Sequence, residues 1–365
     1  KLTQETYISE SKCSTLVAPT INNGRVVSAL LMATTITEID FDIISQVYDW
    51  SDIEIANARY AHKNYLPKSI IQSILDLYQD KTVLKDVKGS EVEYMLSKGM
   101  LNSIYGMCVT DIVKDNSVYD DNWQVEKVDI LEEIENYNTS KNRFLYYPWG
   151  IWVTAYARRN LWTGIAVVGD DYVYSDTDSL KLKNYEKYKG YIDWFDKQIV
   201  AKMTAMCAYY KFDEQLLHPK TKDGVVKTLG VWDFEGTYAR FKTLGAKRYL
   251  SEKNDKLQLT VAGLSKQNGI TYLKELAGGD NAKVFDFFTG ELHVPAENTG
   301  KMTHTYIDDE QALEVVDYLG QITMVNTLSA IHLESCDFTL TIAGQYREFL
   351  KNLANGYMYN GVKHI

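Results

Sequence analysis

Tyr174-Ser175-Asp176-Thr177-Asp178-Ser179 follows the rising run Asp170-Asp171-Tyr172-Val173 and precedes Leu180 and Leu182 at alternate positions. That pattern predicts a strand, a tight turn at Asp176-Thr177-Asp178 and a return strand. Two carboxylates two residues apart near a strand end can face one way, and such crowding of negative charge is unfavourable unless a cation neutralises it. Oxygen donors of this type suit Mg²⁺ or Mn²⁺, which retain waters and bridge to substrate phosphates. An Asx-type turn, with both aspartates capping backbone amides, fits the same residues and stays open on local pattern alone. An aspartic-protease start would need glycine after Asp-Thr, and Asp178 occupies that position.

Upstream, Pro148-Trp149-Gly150 opens an apolar helix through Ile165, on which Thr154 and Arg158 stand four apart. A hydroxyl and a guanidinium on one helix face can hold adjacent phosphates of a nucleic-acid strand. Further upstream, Ile70, Ile71, Ile74, Leu75, Leu77 and Tyr78 predict a helix that starts after Pro67 and runs to about Asp86. After a turn through Gly89 and Ser90, Val92, Met95, Leu96, Met100 and Ile104 mark a second helix, so the two form a hairpin. The second helix carries Lys98-Gly-Met-Leu-Asn102-Ser103-Ile-Tyr105-Gly106. Spacings of four and seven place Lys98, Asn102 and Tyr105 on one face, a cation beside a flat aromatic, which suits a nucleotide. Gly106 just beyond would let another backbone approach; the alternative is a half-buried helix ending at a glycine cap.

Downstream, a helix is expected over Tyr188 to Tyr210 and strands between Val226 and Val261. Lys247-Arg248-Tyr249 reads as a strand with Lys247 and Tyr249 on one face, or as a basic edge strand. A helix near Asp42 to Asp49, followed by a short strand, is expected near the start, and a small β-rich insertion between Thr110 and Tyr147.

The 365 residues, 45% hydrophobic and 24% charged, exclude a single small module, a disordered chain and a disulfide scaffold. No apolar run is long enough for a membrane span, and the start has no secretory signal pattern. Cys13, Cys108, Cys207 and Cys336 lie far apart without a C-x-x-C pair, which argues for reduced thiols in a cytoplasm-like compartment. A net charge of −10 speaks against wrapping nucleic acid with the whole surface, so local charge decides. Lys141 to Arg159 holds four basic residues and no acid, while Asp115 to Glu135 is strongly acidic.

Taken in order, K-x-x-x-N-S-x-Y-G, T-x-x-A-R, Y-x-D-T-D-S and K-x-Y resemble the fingers, primer-contacting, palm-carboxylate and thumb-side motifs of family B DNA polymerases. The spacer between Gly106 and Pro148 is similar to the second terminal-protein-region insertion of the protein-primed bacteriophage and plasmid subgroup. The resemblance implies an α+β right-hand polymerase fold, with an antiparallel palm sheet, helical-hairpin fingers and a thumb. It divides the chain into 1–65, the tail of a first such insertion with its palm connection; 66–108, fingers; 109–147, the second insertion; 148–264, palm; and 265–365, thumb. It implies template-directed nucleotidyl transfer by a two-metal mechanism.

Residue by residue, Asp178 resembles the metal-binding carboxylate and Asp176 its supporting acid, with Tyr174 and Thr177 shaping the turn near DNA. Lys98 resembles the triphosphate-binding lysine, with Lys85 as its partner. Asn102 and Tyr105 resemble residues lining the nascent base pair, and Ser103 and Gly106 fall in the same DNA-contacting motif. Thr154 and Arg158 resemble primer-strand contacts, and Lys247 and Tyr249 those at the primer terminus. Ser175 stands where cysteine or glycine is usual, with its side chain expected to face away from the metals. The implied cofactor is Mg²⁺ or Mn²⁺, and the implied partners are primer-template DNA, deoxynucleoside triphosphates and a terminal-protein primer. The implied location is the cytoplasm of a bacterial host.

One motif departs. The family's other metal aspartate lies in D-x-x-S-L-Y-P, which nothing here matches; Asp42-Ile-Ile-Ser45-Gln-Val-Tyr48 imitates only its first half. The acidic motifs of the proofreading exonuclease are also unmatched. The chain, which starts at Lys1, is therefore expected to be the carboxy-terminal portion of a polymerase whose second aspartate lies on an upstream portion. The rivals are a non-catalytic nucleic-acid-binding or assembly protein that retains the fold, and a metal-dependent phosphatase using Asp176 and Asp178.

Overall fold

The computed structural model describes residues 7–22, 24–120, 122–141, 143–307, 311–327 and 330–340. In chain order, the first elements are β1 (Cys13–Val17), β2 (Thr20–Asn22), β3 (Arg25–Ser28), β4 (Leu31–Thr34), α1 (Glu38–Val47), α2 (Lys68–Leu84) and α3 (Glu91–Cys108). Then come β5 (Asn116–Asp120), β6 (Asn122–Glu126), α4 (Ile130–Thr139), α5 (Tyr147–Val168), β7 (Tyr172–Asp176), β8 (Ser179–Leu182) and α6 (Tyr185–Tyr210). The remainder holds β9 (Arg240–Gly245), β10 (Arg248–Lys253), β11 (Lys256–Val261), α7 (Lys266–Leu276), α8 (Val284–Phe287), β12 (His293–Val294) and α9 (Ala296–Thr299). It ends with β13 (Met302–Ile307), β14 (Gln311–Val316), β15 (Ile322–Thr327), β16 (Ala330–Ser335) and β17 (Phe338–Thr339). Helices thus alternate with small antiparallel sheets. Residues from 341 onward, within the stretch assigned to a thumb, lie outside the described residues.

Contacts divide the chain into two compact units, one of Lys1–Ala18 with Ala29–Phe234, the other of Pro19–Ser28 with Glu235–Ile365. In the first unit α2 begins after Pro67, whose fixed φ suits a helix start. Its buried Ile71 and Leu75, one helical turn apart, pack with Cys207 of α6 and with Leu217. The α2–α3 hairpin follows, and α5 packs against α3, α1 and β8. Gly150 and Gly164 set these approaches. A Cβ at Gly150 would collide with the Val109 side chain and meet Tyr105 Cε2 at 3.6 Å, and one at Gly164 would meet Leu180 Cδ2 at 3.3 Å.

Gly150→Ala is therefore expected to destabilise the protein. Overpacking costs about 1–3 kcal/mol, against roughly 0.5–1 kcal/mol gained by replacing a helical glycine. Urea unfolding checks this, and a variant as stable as the parent would place Val109 and Tyr105 elsewhere.

The second unit has β9, β10 and β11 in an antiparallel sheet. Its core gathers Leu250, Leu259, Val261, Leu273, Val284, Phe288, Val294 and Leu340. Among the described residues, β13–β16 and β14–β15 are paired as two-stranded ladders.

Four expectations need correction. The first helix runs from Glu38 to Val47, because Thr37 and Asp40 form a reciprocal capping box that starts it early. No strand follows it; residues 48–67 form neither helix nor strand. Between Val226 and Val261 the strands begin only at Arg240, apart from a single Lys220–Val226 bridge. Lys247 is not in a strand: its φ of 53° puts it in the β9–β10 turn, so alternation cannot set it on the face of Tyr249. The insertion holds the β5–β6 hairpin but also α4, which Asp129 caps by accepting from the Leu131 and Glu132 amides.

Candidate active site

The β7–β8 hairpin pairs Tyr174 with Lys181, Ser175 with Leu180 and Asp176 with Ser179, which leaves Thr177 and Asp178 as the turn. The Asp178 amide donates to the Asp176 carbonyl at 2.6 Å, and Thr177 between them has φ 54°. A bond spanning two residues about a positive-φ centre is a γ-type turn, a strained form for a β-branched residue. The Thr177 hydroxyl donates to Asp176 Oδ1 at 3.1 Å. Asp178 is exposed and Asp176 half-buried at the tip, while Tyr174 is buried below. Ser175 Oγ meets the Tyr172 hydroxyl at 2.9 Å.

The base of the hairpin is held more firmly. Asp171 accepts from Asn184 at 3.0 Å and from Lys187 at 3.2 Å, and its backbone oxygen accepts from the Lys183 amide at 2.8 Å. The Tyr188 hydroxyl sits 2.7 Å from Asp171 Oδ2 and 2.9 Å from the Val168 carbonyl oxygen, its single proton shared.

On α3, Lys98, Asn102 and Tyr105 are all exposed. The Lys98 ammonium lies 5.8 Å from the Tyr94 ring centre. The Ser103 hydroxyl turns back to the Gly99 carbonyl at 2.8 Å. A Cβ at Gly106 would meet nothing within 4 Å, so the space beside it is open. Lys85 caps the carboxy-terminal end of α2.

One residue the sequence did not single out feels charges from both parts. Lys81, half-buried on α2, has its pKa lowered by burial and by the ammonium charges of Lys98 and Lys85, while the Asp178 carboxylate opposes the shift. Three lysines from the helical hairpin and the turn aspartate therefore share one electrostatic neighbourhood. Its only sequence signal was the Lys81–Lys85 spacing of four on one helix face. Replacing Asp178 with Asn removes an opposing charge, so the Lys81 pKa should fall further. NMR titration of the lysine ε-positions in metal-free protein reads this directly; an unmoved Lys81 would separate Asp178 from the helical hairpin.

The predicted primer contacts are engaged within the chain. The Thr154 hydroxyl donates back to the Gly150 and Ile151 carbonyls at 3.1 and 2.9 Å. Arg158 forks onto Asp40, Nε to Oδ1 at 2.9 Å and Nη2 to Oδ2 at 3.0 Å. Asp40, 5% exposed, also accepts from the Tyr7 hydroxyl at 2.5 Å and from the Thr37 amide and hydroxyl at 3.2 and 2.8 Å. Burial pushes the Asp40 carboxyl up, but the bonds from Arg158, Tyr7 and Thr37 outweigh it and hold it below the usual value. Asp42 lies on the exposed side of α1. In the second unit the Tyr249 ring stacks on Phe241 at 5.2 Å, and the Lys247 carbonyl accepts from the Ala262 amide at 3.1 Å.

Asp176 and Asp178 supply the hard oxygen donors that Mg²⁺ or Mn²⁺ prefers, and such ions commonly take only one or two protein carboxylates beside waters and substrate phosphates. The turn fits in donor type and falls short in number. Among the described residues no group of three or more His, Cys, Asp or Glu is arranged to hold a metal. Nor is any described helix long and apolar enough to cross a membrane.

No protein-family profile, no curated protein and no solved structure matches the chain.

Proposed function

We propose that this chain is the nucleotide-binding and carboxylate-bearing portion of a DNA-directed DNA polymerase of family B type. What carries the reading is the exposed face of α3 that presents Lys98, Asn102 and Tyr105, supported by the half-buried Lys81, on which the charges of Lys98, Lys85 and Asp178 all act. Exposed Lys85 and Lys98 and half-buried Lys81 repel one another, and a polyanion such as a deoxynucleoside triphosphate relieves that repulsion. Lys98 and Lys85 bind its phosphates, while Tyr105 and Asn102 on the same face of α3 abut the base. Asp178, with Asp176 behind it, would hold a divalent cation that supplies charge stabilisation for phosphoryl transfer. A second aspartate, on a further polypeptide segment, is required opposite Asp178, and a terminal protein is the expected primer.

Photocrosslinking of a labelled deoxynucleoside triphosphate to the chain tests the binding half of this reading. Lys98→Ala should weaken capture about tenfold or more, the scale of one charge-assisted phosphate contact. Equal capture by the variant would remove the triphosphate from α3. The non-catalytic alternative draws on the same absence of D-x-x-S-L-Y-P and predicts DNA binding without nucleotide addition.

A further inference from the structure

Residues 48–67 join α1 to α2 without helix or strand, a length at which an unstructured connection is uncommon unless it has work to do. Both ends are pinned. Trp50 packs on Phe41 of α1 at 5.7 Å between ring centres, and Tyr65 packs on Tyr209 of α6 at 5.1 Å, with the Tyr210 hydroxyl donating to the Leu66 carbonyl at 2.9 Å. Between the pins every residue from 51 to 65 is exposed. The span opens with Asp49, Asp52 and Glu54 and then carries Arg59, Tyr60, His62 and Lys63, so its cations and rings gather in its second half, where from residue 55 to residue 75 the chain has no acid. Tyr60 is 90% exposed and meets His62 edge-on at 6.1 Å, so one ring face is open to solvent. Lys63 has an exposed partner in Glu38 at 3.7 Å, a pairing that contributes little and yields easily to a phosphate.

We propose that this strap binds single-stranded nucleic acid, with Tyr60 and His62 as stacking surfaces for bases and Arg59 and Lys63 as phosphate contacts. Open aromatic faces interleaved with cations are the means by which proteins hold an unpaired strand without reading its sequence. An acidic protein segment would engage the cations but make no use of the upright ring. The inference deepens the polymerase reading, and rests on it only in taking the strand to be unpaired template.

The test uses the full chain in EDTA, with a fluorescent oligothymidylate of about 16 nucleotides, the upper end of typical site sizes, and a duplex of equal length. Tyr60→Ala with His62→Ala should weaken oligothymidylate binding roughly tenfold or more and leave the duplex unaffected. Arg59→Gln with Lys63→Gln should reduce the slope of log affinity against log salt by about 1.4, at roughly 0.7 per single-strand phosphate. The proposal is overturned by unchanged affinity and slope in both variants, or by equal losses on duplex and single strand. Loss of polyglutamate binding with oligothymidylate binding retained would assign the strap to an acidic protein partner and also overturn it. Failure of the strap variants to alter binding, while Asp178→Asn abolishes primer extension in Mg²⁺ by the chain mixed with the upstream polypeptide, removes the strap alone. Loss of strand binding in those variants, with extension indifferent to Asp178, removes the polymerase reading and leaves the strap.

Discussion

Under the proposed polymerase function, Asp178→Asn is expected to reduce nucleotide addition on the order of 10³-fold or more, the scale for removing a charge partner of a phosphoryl-transfer transition state. The fall should appear in kcat, with a small change in nucleotide affinity, because the lysines proposed to bind the nucleotide, on α2 and α3, are untouched. Folding does not confound the result. Asp178 is exposed, and it is the backbone amide, not the carboxylate, that closes the turn. Asp42→Asn, on the exposed side of α1, should leave the rate as it is. Primer-extension rates under saturating nucleotide decide the matter, and near-normal rates for Asp178→Asn would end the assignment of the turn as a metal site.

Arg158→Ala should destabilise the protein by about 3 kcal/mol near pH 7, the low end for breaking a buried pair because 43% of the Arg158 side chain is exposed to solvent. The substitution leaves a buried carboxylate with its hydrogen bonds from Tyr7 and Thr37 but without a counter-charge. The pH dependence follows from the direction of the shift. With its folded pKa depressed, Asp40 contributes stability that is present above the unfolded value of about 4 and is lost as pH falls through the lower folded value. Tyr7 is shifted the other way, chiefly by burial and by its bond to Asp40, so its contribution is present below the unfolded value of about 10 and is lost only in strong alkali. The cost of Arg158→Ala should therefore be greatest between about pH 5 and 9 and shrink in acid, where Asp40 in the variant takes a proton. Urea melts across that range check it. A deficit below about 1 kcal/mol, as for a surface ion pair, or one that ignores pH, would contradict the buried fork.

The helical hairpin and the carboxylate turn were legible because each is local. Pro67 and the apolar steps to Tyr78 fix α2, which ends at Leu84, short of the Gly89 read as its stop, and alternation about Asp176-Thr177-Asp178 fixes β7 and β8. Lys81 was not legible as a site residue, since its meaning comes from the charge of Asp178, in a turn nearly a hundred residues downstream. Arg158 was legible as a cation on a helix face, but its partner, 118 residues away, is a buried aspartate, and composition places aspartate at the surface. The Thr37-x-x-Asp40 spacing held the clue, a capping box that starts α1 early and turns Asp40 inward. Lys247 was misread because alternation presumes extended backbone, and a positive φ at that residue breaks the presumption.

The most direct test is templated addition of one labelled nucleotide to a primer–template with Mg²⁺ or Mn²⁺, by this chain alone and mixed with the polypeptide encoded immediately upstream. Addition in the mixture of only the nucleotide complementary to the template base is the expected result. A primer–template that is bound by the mixture but not extended by either preparation would contradict the polymerase account.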